Sequence, residues 1–251
     1  MTLQEGRVDP APRWLRAWRA EGLRLRSLRS QWALIVIAVA GALALGVGQI
    51  VALPSDAAPA RVVRAAVSGA EVSPFFLGLG AALFAASDLS SRQFALTLLQ
   101  MNHRALVFAA KVSVLVVTGL VTGFGAIALM TPFAVIRGGS FSGPLLLDWL
   151  VLPALHLAFV LLGAAIGMIA RSLVAAVFVY LAVVWALPLV VAIAGIWAPA
   201  LSGPVLQFAP VTLTAAMLEP ATRLTAVLRF AALDVALLSF GFLRVNRWTL
   251  R

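Results

Sequence analysis

The sequence predicts an all-α polytopic membrane protein with six transmembrane helices, and three observations carry that prediction. Of 251 residues, 63% are hydrophobic and only 11% charged, where a soluble domain carries roughly 25% charged residues. The apolar residues gather into uncharged runs. A helix rising 1.5 Å per residue needs about 20 of them to cross hydrocarbon. The breaks between runs hold most of the 19 basic residues.

Residues 1–31 form a basic amino-terminal segment, with Arg7, Arg13, Arg16, Arg19, Arg24, Arg26 and Arg29 against Glu5, Asp9 and Glu21. Trp14, Trp18, Leu25 and Leu28 recur at helical spacing and lead to Trp32. That pattern predicts an amphipathic helix in the membrane interface, with tryptophans at headgroup depth and arginines outside. The alternative is a plain positive flank that holds the amino terminus inside. A signal peptide fits poorly, because the charged region is long and the apolar run exceeds an h-region.

The first span covers 32–53 and ends at Pro54-Ser55-Asp56. Residues 54–70 read as a polar loop holding Arg61 and Arg64. The second span, 70–88, is the shortest apolar run, with Glu71 and Asp88 near its two interfaces. The segment 88–111 is too hydrophilic for hydrocarbon and too regularly patterned for a plain loop. It predicts a short helix on the membrane surface, where a partner can push on it. The third span, 112–136, holds Gly119, Gly123 and Gly125, which predict close helix contact.

A turn-rich loop from Arg137 to Pro144 follows. The fourth span, 149–170, contains His156 and the small pair Gly163 and Gly167. Arg171-Ser172 is a very short connection to the fifth span, 173–198, where Pro188 predicts a kink. Residues 199–222 carry Pro199, Pro204, Pro210 and Pro220 but only one charge, Glu219. A solvated loop would be more polar, so this stretch reads as a re-entrant or interfacial segment packed against protein. The sixth span, 224–243, is interrupted by Arg229 and Asp234 and followed by Arg244, Arg247 and Arg251.

Six spans put both termini on one side. That side holds the seven amino-terminal arginines, Arg92, Arg104, Lys111, Arg171 and the three tail arginines; the other holds Arg61, Arg64, Arg137 and Arg223. The bias predicts that both termini and the 88–111 segment are cytoplasmic, in a multi-pass protein of the cell (inner, cytoplasmic) membrane. The net charge of +10 thus serves orientation and contact with anionic lipid, not nucleic acid.

Several chemistries are excluded. With no cysteine there is no disulfide framework or thiolate metal site. His103 and His156 lie far apart in sequence and form no metal-ligand cluster. No phosphate-binding loop of the form G-x-x-x-x-G-K-[ST] occurs, so the chain does not bind ATP in that manner. No Ser/His/acid or paired-carboxylate constellation points to catalysis. Intramembrane ionisable groups usually mark ion coupling, and only His156, Arg229 and Asp234 qualify. Arg229 is near enough to an interface to snorkel. Asp234 reads either as a proton or substrate contact or as a structural residue hydrogen-bonded within the protein.

The central segment resembles the region after the second span of type-2 permeases of ATP-binding-cassette exporters. That family often shows Glu, three residues, Gly-Thr, a Leu-Leu pair, Pro-x-Arg and a downstream Lys. Here Asp88 stands at the Glu position, with Leu98-Leu99, Arg104 and Lys111 at matching offsets. Lys111 is the only lysine beside 18 arginines. Arg92-Gln93 replaces Gly-Thr, and Asn102 replaces the Pro. The basic amino-terminal helix, six spans, short fourth-to-fifth connection and Pro-rich stretch before span six extend the likeness along the chain.

The resemblance implies a permease subunit that exports an amphipathic or hydrophobic cargo (a lipid, antibiotic or peptide-like molecule). It works with a separate ATPase subunit, which carries the ATP and Mg, and with a second permease copy or a similar permease. It also implies that the amino-terminal helix, through Trp14 and Trp18, contacts the ATPase together with the segment after span two. There Phe94, Leu96, Leu98, Leu99 and Met101 would supply apolar contacts, and Asp88, Arg92, Arg104 and Lys111 polar or lipid contacts. Two other classes fit the residues: a non-transporting immunity, sensor or assembly protein, and an ion-coupled secondary carrier.

Overall fold

Among the described residues, six helices are long and apolar enough to cross a membrane, in agreement with the uncharged runs. The computed structural model describes residues 12–90, 104–141, 143, 145–197 and 199–247; the side chains of 88–90, 199–201 and 204 lie outside that description. Among the described residues there is no strand. The helices are α1 (Arg13–Ser27), α2 (Arg29–Ala52), α3 (Pro59–Ala70), α4 (Val72–Ser90), α5 (Arg104–Ile136), α6 (Leu145–Trp149), α7 (Val151–Ala170), α8 (Leu173–Leu181), α9 (Leu187–Ala194), α10 (Pro199–Leu206), α11 (Pro210–Leu218) and α12 (Arg223–Asn246).

The arrangement centres on α7, which packs against α4, α5, α8 and α12. The apolar window of α6 and α7 is 78% buried, against 17% in span five, so span four is the hub and span five a peripheral helix. Close approach makes this contact possible. A Cβ on Gly163 would run into the Gly78 carbonyl of α4, and one on Gly167 into the Ala82 carbonyl. Without side chains at these points the two backbones touch, which is how helices gain packing energy in lipid. Gly119 and Gly123 of α5 face the backbone at Leu157 and Pro153 of α7 in the same way. Gly125 differs: a Cβ there meets nothing within 4 Å. The close contact predicted for all three glycines holds for the first two.

The polar loop predicted for 54–70 is corrected. Its first residues turn, but Pro59–Ala70 is a helix. Proline suits the first helical turn, where its missing N–H is not needed. Val62, Val63, Ala66, Val67 and Ala70 then form a buried stripe at helical period, leaving Arg61 and Arg64 exposed. The two arginines masked a 3.6-residue pattern. With α4, this helix makes a 29-residue candidate crossing, Pro59–Ser87.

Span three is also longer than its uncharged run. Helix α5 has 33 residues, or about 50 Å at 1.5 Å each, against roughly 30 Å of hydrocarbon. Residues 104–111 are therefore its first two turns, and 87–90 are the last turn of α4. Neither flank belongs to a separate surface helix; residues 91–103 lie outside the described residues.

Pro188 is absorbed without a break. Residues Ala182–Ala186 widen into a π-helical turn, and the Leu187 N–H reaches the Ala182 carbonyl five residues back. A proline one residue later removes a donor that a regular helix would need, and the wider turn accommodates it. The hydroxyl of the fully buried Tyr180, just before this turn, donates to the Phe75 carbonyl at 2.8 Å and fixes span five to α4. At the Arg171-Ser172 connection, Arg171 takes φ +61° and the Ser172 hydroxyl accepts from the Ala175 N–H at 3.1 Å, starting α8. Residues 199–218 form α10 and α11, with Leu213, Thr214 and Met217 of α11 buried.

Gly163→Leu should force α4 and α7 apart and cost at least about 2 kcal/mol, while Gly125→Ala should change nothing. Size-exclusion profiles of detergent-solubilised protein heated in steps would read both; equal survival of the two variants would contradict the packing described.

Candidate functional site

A cluster of charge lies at one end of the bundle, where α1 meets the first turns of α5. Helix α1 carries its apolar stripe toward the spans: Leu25, and Leu28 just past its end, pack against the cluster formed by Phe84, Val107 and Leu115. Glu21 falls on that same face and is buried. A lone carboxylate there would be costly. Its Oε2 instead accepts from Lys111 Nζ at 2.9 Å, with the side chains only 7% and 3% exposed. The same ammonium lies 4.0 Å from the centroid of the Phe84 ring on α4, a distance at which a cation is attracted to the ring face. One buried ammonium thus joins three elements.

Two further contacts gather helix ends around this junction. Arg104, at the start of α5, donates to the Asn246 carbonyl in the last turn of α12. Arg171, between spans four and five, donates to the Arg244 carbonyl at 3.1 Å. Guanidinium groups suit such sites, because the last carbonyls of a helix lack intrahelical partners and carry partial negative charge. The orientation count placed Arg104, Lys111, Arg171 and Arg244 on one side, and these contacts bring them to one end of the bundle.

The opposite end has its own polar cluster. Asp148 of α6 accepts from Arg223 at the start of α12, and Arg64 of α3 stands 4.0 Å from its other oxygen. Arg223 also donates to the Met217 carbonyl at 3.0 Å, and Arg137 to the Leu53 carbonyl at 2.6 Å. Arg64, Ser68, Asp148, Glu219 and Arg223 line a cavity of about 260 Å³ there.

The three intramembrane groups are not joined by any hydrogen bond or ion pair among the described residues. His156 is buried in α7; its Nδ1 donates to the Leu152 carbonyl at 2.8 Å and its Nε2 meets the Ser73 hydroxyl at 2.9 Å. Arg229 is partly buried on α12. Asp234 is buried, and its Oδ1 meets no hydrogen-bond donor.

Of the residues that the resemblance implicates, Trp14 is exposed and Trp18 partly buried on α1. Lys111 is buried, so its described contacts are with Glu21 and Phe84 rather than with headgroups. Asp88 belongs to α4, but its side chain, like Arg92, Phe94, Leu96, Leu98, Leu99 and Met101, lies outside the described residues. Glu21 and Asp148 were missed as site residues. The signal for Glu21 was its register: it stands three residues after Trp18 and four before Leu25, on the apolar stripe.

No known protein family and no curated protein matches the chain.

Removing one partner of a buried pair strands the other charge. Glu21→Gln or Lys111→Met should each destabilise the protein by about 3–5 kcal/mol, while the exchange Glu21→Lys with Lys111→Glu should recover much of the loss. Resistance to limited proteolysis in mild detergent would measure this; single variants as resistant as the parent chain would show that the pair holds nothing.

Proposed function

We propose that this chain is the membrane-spanning permease subunit of an ATP-binding-cassette exporter, driven by a separate ATPase subunit that binds ATP and Mg. The observation that carries the reading is the buried Glu21–Lys111 pair. It ties a basic amphipathic helix to the first turns of a span, within the segment 88–111 that resembles the ATPase-contacting region of such permeases. An ATPase that moved either element would move the other, and with it the ends of spans two and three.

The basic end faces the cytoplasm in this reading, because it collects the larger share of arginines; both termini are there, in the cytoplasmic membrane. A second permease, identical or similar, completes the pathway. The peripheral fifth span is available to that partner. Between α9 and α12, the short helices α10 and α11 act as the re-entrant or interfacial segment. The cargo is amphipathic or hydrophobic, in keeping with apolar span surfaces. Asp234, with a buried oxygen lacking a donor, favours the ion-coupled carrier as the second reading.

Purification in gentle detergent, with identification of what accompanies the chain, separates the two. An ATPase subunit with a phosphate-binding loop should co-purify, and Arg92→Glu should lower cargo-stimulated ATP hydrolysis severalfold without loss of membrane insertion. A chain that purifies without an ATPase and moves cargo only under an ion gradient, with transport lost in Asp234→Asn, would replace the exporter by the carrier.

A further inference from the structure

A cavity of about 210 Å³ opens sideways between α2 and α5, floored by α4 and α7. Ala42, Leu77, Gly125 and Met130 line it, with three polar side chains, Ser73, Thr122 and His156. It lies at membrane depth: Ala42 stands midway along the 24-residue α2, and the rim residues Val39, Val121 and Leu129 are exposed on spanning helices. The medium outside this mouth is therefore hydrocarbon.

The polar groups in the wall ask for no ligand. His156 bonds to Leu152 and Ser73, and the Thr122 hydroxyl donates to the Thr118 carbonyl at 2.7 Å. With these needs met inside the protein, water would find too few partners to be held, and a headgroup would be desolvated without return. An empty apolar cavity leaves its lining without contacts on one side. Gly125 widens the space, since a Cβ there meets nothing within 4 Å.

We propose that this crevice is a binding site for one acyl chain of a membrane phospholipid, inserted from the side between α2 and α5. The inference needs only that the six helices lie in lipid, and it stands whether or not an ATPase drives the chain.

The test uses the full chain in phosphatidylcholine vesicles that contain a phospholipid with a diazirine on its acyl chain, with photoadducts mapped by mass spectrometry. Leu77 and Ala126 of the crevice wall are each only 7% exposed, while Val235 on the outer face of α12 is 64% exposed. Adducts on Leu77 and Ala126 at least as abundant as those on Val235 are expected, because a chain in the crevice touches them. Adducts that simply follow exposure would overturn the proposal. So would labelling of Leu77 only by the same chain offered as a free fatty acid, which would remove the phospholipid as occupant.

The absence of cysteine gives a second arm. Gly125→Cys, alkylated after reconstitution, blocks the crevice in protein already folded, and Gly125→Phe fills the same space without chemistry. Both should abolish Leu77 adducts and leave Val235 adducts unchanged; undiminished Leu77 labelling in either would also overturn the proposal.

Discussion

Helices in hydrocarbon gain little by hiding apolar surface from one another, so this fold depends on how closely the backbones of α4 and α7 approach. Gly163 against the Gly78 backbone, and Gly167 against the Ala82 carbonyl, lack the side chains that would hold the helices apart. Dispersion contacts then accumulate along the helix pair. Everything else is arranged on that pair. Helix α5 closes on α7 through Gly119 and Gly123, Tyr180 fastens span five to α4, and α12 lies along the remaining side of α7.

Polar groups follow a division set by depth. Within the spans, the Ser73 hydroxyl stands between the Ala70 carbonyl and His156, and the Thr118, Thr122 and Thr131 hydroxyls return to carbonyls of their own helix. Charge pairs stand at the ends: Asp148 with Arg223 at one, Glu21 with Lys111 at the other. Such pairs add little net stability over well-packed apolar groups, but each holds its partner in a defined place. That is the property an amphipathic helix needs if its movement is to reach the spans. Asp234 departs from the division, being buried with one oxygen lacking a donor.

The spans were legible because hydrocarbon demands long uncharged runs, and those runs gave six crossings, although the helices of spans two and three begin well before theirs. Misreadings came where charge shares a helix with apolar residues. Arg61 and Arg64 concealed α3, whose buried stripe of Val62, Val63, Ala66 and Val67 runs beneath them. Lys111 and Arg104 made the first turns of α5 look like part of a surface segment, because hydropathy along the chain cannot report that a lysine faces a glutamate 90 residues earlier. Single glycines were equally ambiguous: Gly123 and Gly125 look alike in sequence, yet one meets Pro153 and the other opens a cavity.

The central claim is that α1 and the first turns of α5 form one mechanical unit, held by a buried ion pair. Spin labels on cysteines introduced at the exposed Leu23 of α1 and Val117 of α5, in an otherwise cysteine-free chain, would measure this directly in bilayers. A single narrow distance distribution that broadens in Glu21→Gln is what a rigid junction gives. A broad distribution in the parent chain, or one indifferent to loss of the carboxylate, would contradict it.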